Sequence, residues 1–310
     1  MALKRALGAS TLLAAAVMLV ISSGCVNLGG VSTTAAFDNG VVIQNFEPEL
    51  SSVYSGEDVR LQMKIKNLGS FDASGDATID LSEWGCGSSG AAQKTFSLLP
   101  PNSERGTEGG EAVILWTCKA PDIAEGLTVP YEARAQVEYP YQTVSSKTIT
   151  LLPTSDLIAL NNAGKPLPSE DETQSHSPVR VDVVVKGPIR ISENNGQVIF
   201  PVTLKITNVG GGIVQDGLID LEVEKTTGAI TNMKDCDQQN LPLWRGQSQT
   251  VTCEMTANKV TSMTQARIVA TATYTYVISS SARIVATGTK DSTLGGGGGC
   301  PPGGCQSGWV

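Results

Sequence analysis

Seven cysteines, four tryptophans and a single histidine set the chemistry open to this 310-residue chain. An odd cysteine count in an exported protein leaves one thiol to explain. Cys86 and Cys118, Cys236 and Cys253, and Cys300 and Cys305 fall two to a region, as three local disulfides would, and they leave Cys25 for a separate role. Neither of the first two pairs has a CxxC spacing or a neighbouring histidine, so free buried thiols are the alternative and zinc is a weaker one. His176 sits in a polar stretch between Ser175 and Ser177, without the rigid frame that a base beside a nucleophile needs. HExxH, a P-loop and G-x-S-x-G are all absent, and no segment marks out a carboxylate pair for glycoside hydrolysis. Asp72-Ala73-Ser74-Gly75-Asp76, with Asp80 beyond, gathers oxygen ligands in a turn but lacks the EF-hand order and its closing Glu. It reads as an acidic surface turn. No catalytic residue, metal or cofactor is expected. Trp84 and Trp244 are the candidate ligand-contact aromatics, able to stack on a sugar or a protein partner. Trp84 stands two residues before Cys86, a position that also suits packing on a disulfide. Tyr139-x-Tyr141 and Tyr274-x-Tyr276 place both rings of each pair on one face of a strand, which favours packing over exposure.

Strands must position these residues. A hydrophobic fraction of 40% is enough for packed cores, while 5% aromatics, 33 Gly and 15 Pro suit short strands and many turns better than helices. The net charge of −8 lacks the basic footprint of a nucleic-acid binder. Val59–Lys66 alternates apolar and polar with period two, and Asn67-Leu68-Gly69 ends it with turn chemistry. Similar alternation returns at Ala77–Leu81, Val113–Thr117, Tyr131–Tyr139, Val179–Val185 and Val198–Thr207. The second half repeats the first. Met63–Gly69 matches Leu204–Gly210, Ile79-Asp80-Leu81 matches Ile219-Asp220-Leu221, Trp116-Thr117-Cys118 matches Val251-Thr252-Cys253, and the two Tyr-x-Tyr pairs match each other. The fold class expected is all-β: two tandem immunoglobulin-like antiparallel β-sandwiches after an N-terminal signal segment, with about seven strands per copy. The boundaries predicted are signal 1–24, Cys25 and flexible tether 25–39, sandwich 40–152, linker 153–178, sandwich 179–288 and a Gly-rich tail 289–310. Disulfides closing loops of about 33 and 18 residues would restrict the unfolded chain by roughly 3–4 kcal/mol each.

Lys4 and Arg5 precede an apolar run from Leu12 to Ile21, and Ser22-Ser23-Gly24 leads into Cys25. This is the pattern of a secretory signal, too short for a comfortable membrane span. Small residues ending in Gly-Cys resemble the lipobox of prokaryotic lipoproteins, although Ser22 stands where that family usually has Leu. The resemblance implies acylation at Cys25 and attachment to a membrane, with the domains on its extracytoplasmic side. An ordinary cleaved signal, or a pilin-like helix kept after cleavage near Arg5, are the other fates open to the segment.

Gly56-Glu57-Asp58-Val59 leading into Ile65-Lys66-Asn67-Leu68-Gly69 resembles the G-[DE]-x-V … V-x-N-x-G opening of CARDB-type adhesion modules. Leu241-Pro242-Leu243-Trp244-Arg245-Gly246-Gln247 is similar to their L-x-x-L-x-x-G entry to a late strand. That resemblance implies an extracellular, non-enzymatic role. The function expected is a lipid-anchored cell-envelope protein that acts structurally or adhesively on a protein or glycan partner at the cell surface. The first rival is an extracellular filament subunit assembled by strand donation at sheet edges. The second is a carbohydrate-binding surface protein.

Overall fold

The computed structural model describes residues 39–81, 84–86, 92–192, 196–225, 228–244 and 247–289. The stretch read as a signal, Cys25, most of the predicted tether, Cys300 and Cys305 lie outside these residues. The chain is predominantly β, built as layered antiparallel sheets around one contiguous apolar core.

In chain order the strands are β1 (Val41–Pro48), β2 (Ser52–Tyr54), β3 (Asp58–Asn67), β4 (Ala73–Asp80), β5 (Gln93–Leu98), β6 (Glu111–Lys119) and β7 (Thr128–Pro153). Helix α1 (Thr154–Asn162) and β8 (Glu172–Gln174) follow. The second half holds β9 (Val179–Val185), β10 (Ile189–Ile191), β11 (Gln197–Asn208), β12 (Ile213–Val214), β13 (Leu218–Lys225), β14 (Ile230–Lys234), β15 (Gln238–Pro242), β16 (Ser248–Asn258) and β17 (Thr264–Thr287). Alternation explains them locally. In β3, Val59, Leu61, Met63 and Ile65 are buried, while Arg60 and Gln62 face water. β11 does the same with Phe200, Val202, Leu204 and Ile206.

Two outer sheets, β1-β3-β6 and β14-β16-β11-β9, accompany a ten-stranded sheet with the path β15-β13-β17-β7-β4-β5. The centre of that large sheet is the pairing of β7 with β17, twenty-four consecutive antiparallel partners from Thr128↔Thr287 to Leu151↔Thr264. Strands normally run about 5–6 residues, so these two each do the work of two strands. The first part of β7 pairs with β4, through Asp76↔Glu138 to Asp80↔Arg134. Its last part pairs in parallel with β10 of the second half. Reciprocally, β17 pairs first with β13 of its own half and ends in parallel with β2 of the first. The sequence pattern predicts a strand ending at Tyr139; β7 instead continues to Pro153.

Two further expectations differ from the structure. The stretch read as a linker, 153–178, contains α1 and also β8, which pairs with Ser145–Lys147 of β7. The backbone of His176 exchanges hydrogen bonds with Ser70. In the repeat, Asp220 faces Thr273 while Asp76 faces Glu138. With Tyr139 matched to Tyr274, the counterpart of Asp220 is therefore Asp76 rather than Asp80. The second half is longer between its Asn-x-Gly turn and the next strand, and a slip by an even number leaves an alternating pattern unchanged.

Candidate functional site

The crossing of β7 and β17 gathers the four tyrosines singled out by the sequence. Tyr139 lies opposite Tyr276, Pro140 opposite Thr275, and Tyr141 opposite Tyr274. Matching the repeats gives the same pairs with the halves exchanged, so a local pseudo-twofold passes through Pro140 and Thr275. The rings meet edge to face, with centroids 5.5 Å apart for Tyr139–Tyr141, 6.1 Å for Tyr139–Tyr276 and 6.1 Å for Tyr274–Tyr276, a favoured aromatic geometry.

Each hydroxyl ties a strand start or a turn to this crossing. The Val41 N–H donates to Tyr139 at 3.0 Å and the Phe71 N–H to Tyr141 at 3.2 Å. Tyr276 accepts from the Gly212 N–H at 3.0 Å and donates to Asn208 Oδ1 at 2.9 Å. Thr143 Oγ1 donates to the Val179 carbonyl at 2.7 Å, so the Tyr274 hydroxyl, 2.9 Å away, is the donor to Thr143. Val41 and Val179 open the first strand of each half, opposite Asn67 and Asn208 of the two Asn-x-Gly turns. Those turns need glycine because a Cβ on Gly69 or Gly210 would collide with the hydroxyl of Tyr141 or Tyr276. Burial raises the pKa of Tyr139 and Tyr274 well above the usual phenol value and that of Tyr141 to about 12. These phenols stay protonated and act as structural clamps.

Beside the crossing opens a groove of about 760 Å³. Tyr141, Phe71 and Leu218 supply apolar wall, and Asp72, Asp216 and Asp220 supply negative charge. Asn240 donates its backbone N–H to Asp220 Oδ1 at 2.9 Å. No lysine or arginine lines it among the described residues, so it suits a neutral polar or cationic ligand and repels an anionic one. Trp244 is 57% exposed. Its ring covers Gly217, which has φ +65° and stands between Asp216 and Leu218 of the groove wall. Trp84 is buried and packs edge to face on Tyr131, centroids 5.5 Å apart. Of the two tryptophans selected from sequence, Trp244 is therefore the one on a surface.

The structure joins Cys86 to Cys118 and Cys236 to Cys253. Each bond ties a loop to a buried cysteine in a strand of an outer sheet, β6 or β16. Of the acidic turn, Asp72 faces the groove while Ala73–Asp80 is strand. Among the described residues no group of three His, Cys, Asp or Glu side chains is placed to hold a metal ion. The sequence marks Asp220 only as a landmark of the repeat and does not mark Asp216. Their signal is weak, since Asp216 is marked mainly by φ 54° ahead of Gly217, a backbone state invisible in composition.

No protein-family model and no curated protein matches the chain. Among solved structures, red sea bream transglutaminase is similar over 81% of this chain and 31% of its own length, at 12% identity and a TM-score of 0.18. The chain thus spans less than a third of that protein, and a likeness at this level carries no functional argument.

Proposed function

We propose that this chain is an exported, lipid-anchored cell-envelope protein whose paired immunoglobulin-like sandwiches hold or adhere to a partner without catalysis. Strand order supports the sandwich reading. The first half sets β5-β4-β7-β17-β2 against β1-β3-β6, and the second sets β15-β13-β17-β7-β10 against β14-β16-β11-β9. Two layers per half, with an edge strand parallel to the last strand, support an immunoglobulin-like reading in which each half receives its last strand from the other.

The observation that carries the reading is the pair of disulfides. Such bonds form and persist in oxidising compartments, where the signal-like segment and Gly24-Cys25 would deliver the chain. An acyl group at Cys25 would hold it to the membrane, with a second chain needed for stable anchoring. The groove beside Trp244 is the contact surface offered to a neutral or cationic glycan or protein segment.

Peptide mass analysis of the protein taken from native membranes tests the reading. An N-terminal peptide beginning at acylated Cys25 is the expected result. An unmodified N-terminus elsewhere overturns the anchor. Cell-surface or glycan binding that survives Trp244→Ala overturns the contact surface.

A further inference from the structure

Neither half of this protein closes over its own last strand. Folding back at Pro140 or Thr275 would need a tight turn, and tight hairpin turns rely on Gly, Asn or Asp for positive φ. Thr128–Pro153 contains none of these residues, and Thr264–Thr287 contains none of them and no proline. The chain is therefore committed to run straight through the crossing, and each half must find its final strand on a different half.

The connection that keeps the exchange within one molecule is loosely attached. After β7, residues 154–169 leave the sheet and return beside it. The Thr148 N–H donates to the Asp171 carbonyl at 2.8 Å, and the Thr150 N–H donates to Glu170 Oε1 at 2.9 Å. Between these points α1 buries no residue and has no side-chain hydrogen bond at its N-cap, and residues 161–167 are all exposed. Stretched out, the excursion reaches roughly 50 Å at about 3.3 Å per residue.

We infer that a second copy of this chain is a binding partner, joined by passing the same strand exchange between molecules through opening of residues 154–169. The β7 strand of one copy pairs with the β17 strand of the next over the register seen here. Every junction then rebuilds a complete double sandwich with the same buried tyrosines and no new interface. The join is head to tail, so two copies close a ring and more copies extend an open chain. The excursion becomes the tether between successive double sandwiches. This goes beyond the proposed function, which requires no self-association, and it does not depend on the anchor at Cys25.

Gln136 and Ser279 are exposed cross-strand partners in the ladder, and they provide the test. Full-length Gln136→Cys and Ser279→Cys proteins are purified separately in detergent. They are mixed, unfolded with disulfides intact, refolded together at high concentration and treated with a short bismaleimide. Peptide mass analysis then follows the 136–279 link in the monomer and oligomer fractions. The double variant Gln136→Cys/Ser279→Cys is expected to link within the monomer. In the mixture the link is expected only in oligomers, at about one ladder in four for random head-to-tail exchange. Oligomers without the link, or no oligomers at all, overturn the proposal. A double variant that fails to link overturns the ladder on which it stands, while leaving lipid anchoring to its own test.

Discussion

Removing one hydroxyl from each of two matched tyrosines separates the physics of the crossing from simple loss of size. Tyr141 and Tyr276 lie over equivalent Asn-x-Gly turns, yet their hydroxyls have different tasks. Tyr276 serves two buried groups, accepting from the Gly212 N–H at 3.0 Å and donating to Asn208 Oδ1 at 2.9 Å. Tyr141 accepts from the part-buried Phe71 N–H at 3.2 Å. Tyr276→Phe leaves a donor and an acceptor orphaned in a region that water does not reach. At about 1–3 kcal/mol for each unsatisfied buried group, the expected loss is about 2–6 kcal/mol. Tyr141→Phe frees one longer bond whose donor can turn to water, for a loss of about 1 kcal/mol. The assay is urea unfolding with disulfides intact, comparing midpoints at unchanged slope. Equal losses for the two variants, or a loss below about 1 kcal/mol for Tyr276→Phe, would refute the reasoning.

Three other outcomes follow from the same geometry. Tyr139, Tyr141 and Tyr274 have raised pKa values in the folded state, so below about pH 10 both states keep these protons and the clamps contribute in full. Above that the unfolded chain ionises first, and stability should fall as pH rises through about 12 for Tyr141 and beyond for the others; a urea midpoint unchanged between pH 9 and 12 would contradict this. Replacing Cys86 and Cys118 together by Ser, or Cys236 and Cys253, should each cost about 3–4 kcal/mol by the loop-entropy argument, read as a lower midpoint against the oxidised parent. Trp84→Ala should cost about 3–5 kcal/mol because it empties a buried site. Trp244→Ala should cost under about 1 kcal/mol, and circular dichroism melts would expose a reversed order.

Strand positions were largely readable because burial on one face forces a period of two. Val59, Leu61, Met63 and Ile65 could hardly do anything else, and β9 matches its predicted span residue for residue. Pairing of Cys86 with Cys118 and of Cys236 with Cys253 was readable from proximity in the chain and from the repeat. The groove was not. Asp72, Asp216, Asp220 and Tyr141 come from separate segments, and none carries a local motif that announces a shared wall. Trp84 and Trp244 were both candidate contact aromatics, with only the nearby Cys86 hinting at packing for Trp84, and the packing of Tyr131 on one and Gly217 beneath the other separates them.

The sequence by itself determined an all-β chain, the two pairs of cysteines and a repeated half. It also carries a further signal, the absence of Gly, Asn and Asp across both long strands. Tertiary structure decided which half each long strand completes. Alternation specifies that a residue faces a core, not whose core it is, and a shift by two or four residues leaves that specification intact. The choice between folding back and running on is made by turn chemistry at Pro140 and Thr275 together with the fit of four tyrosines across the ladder. That fit exists only once both halves are present.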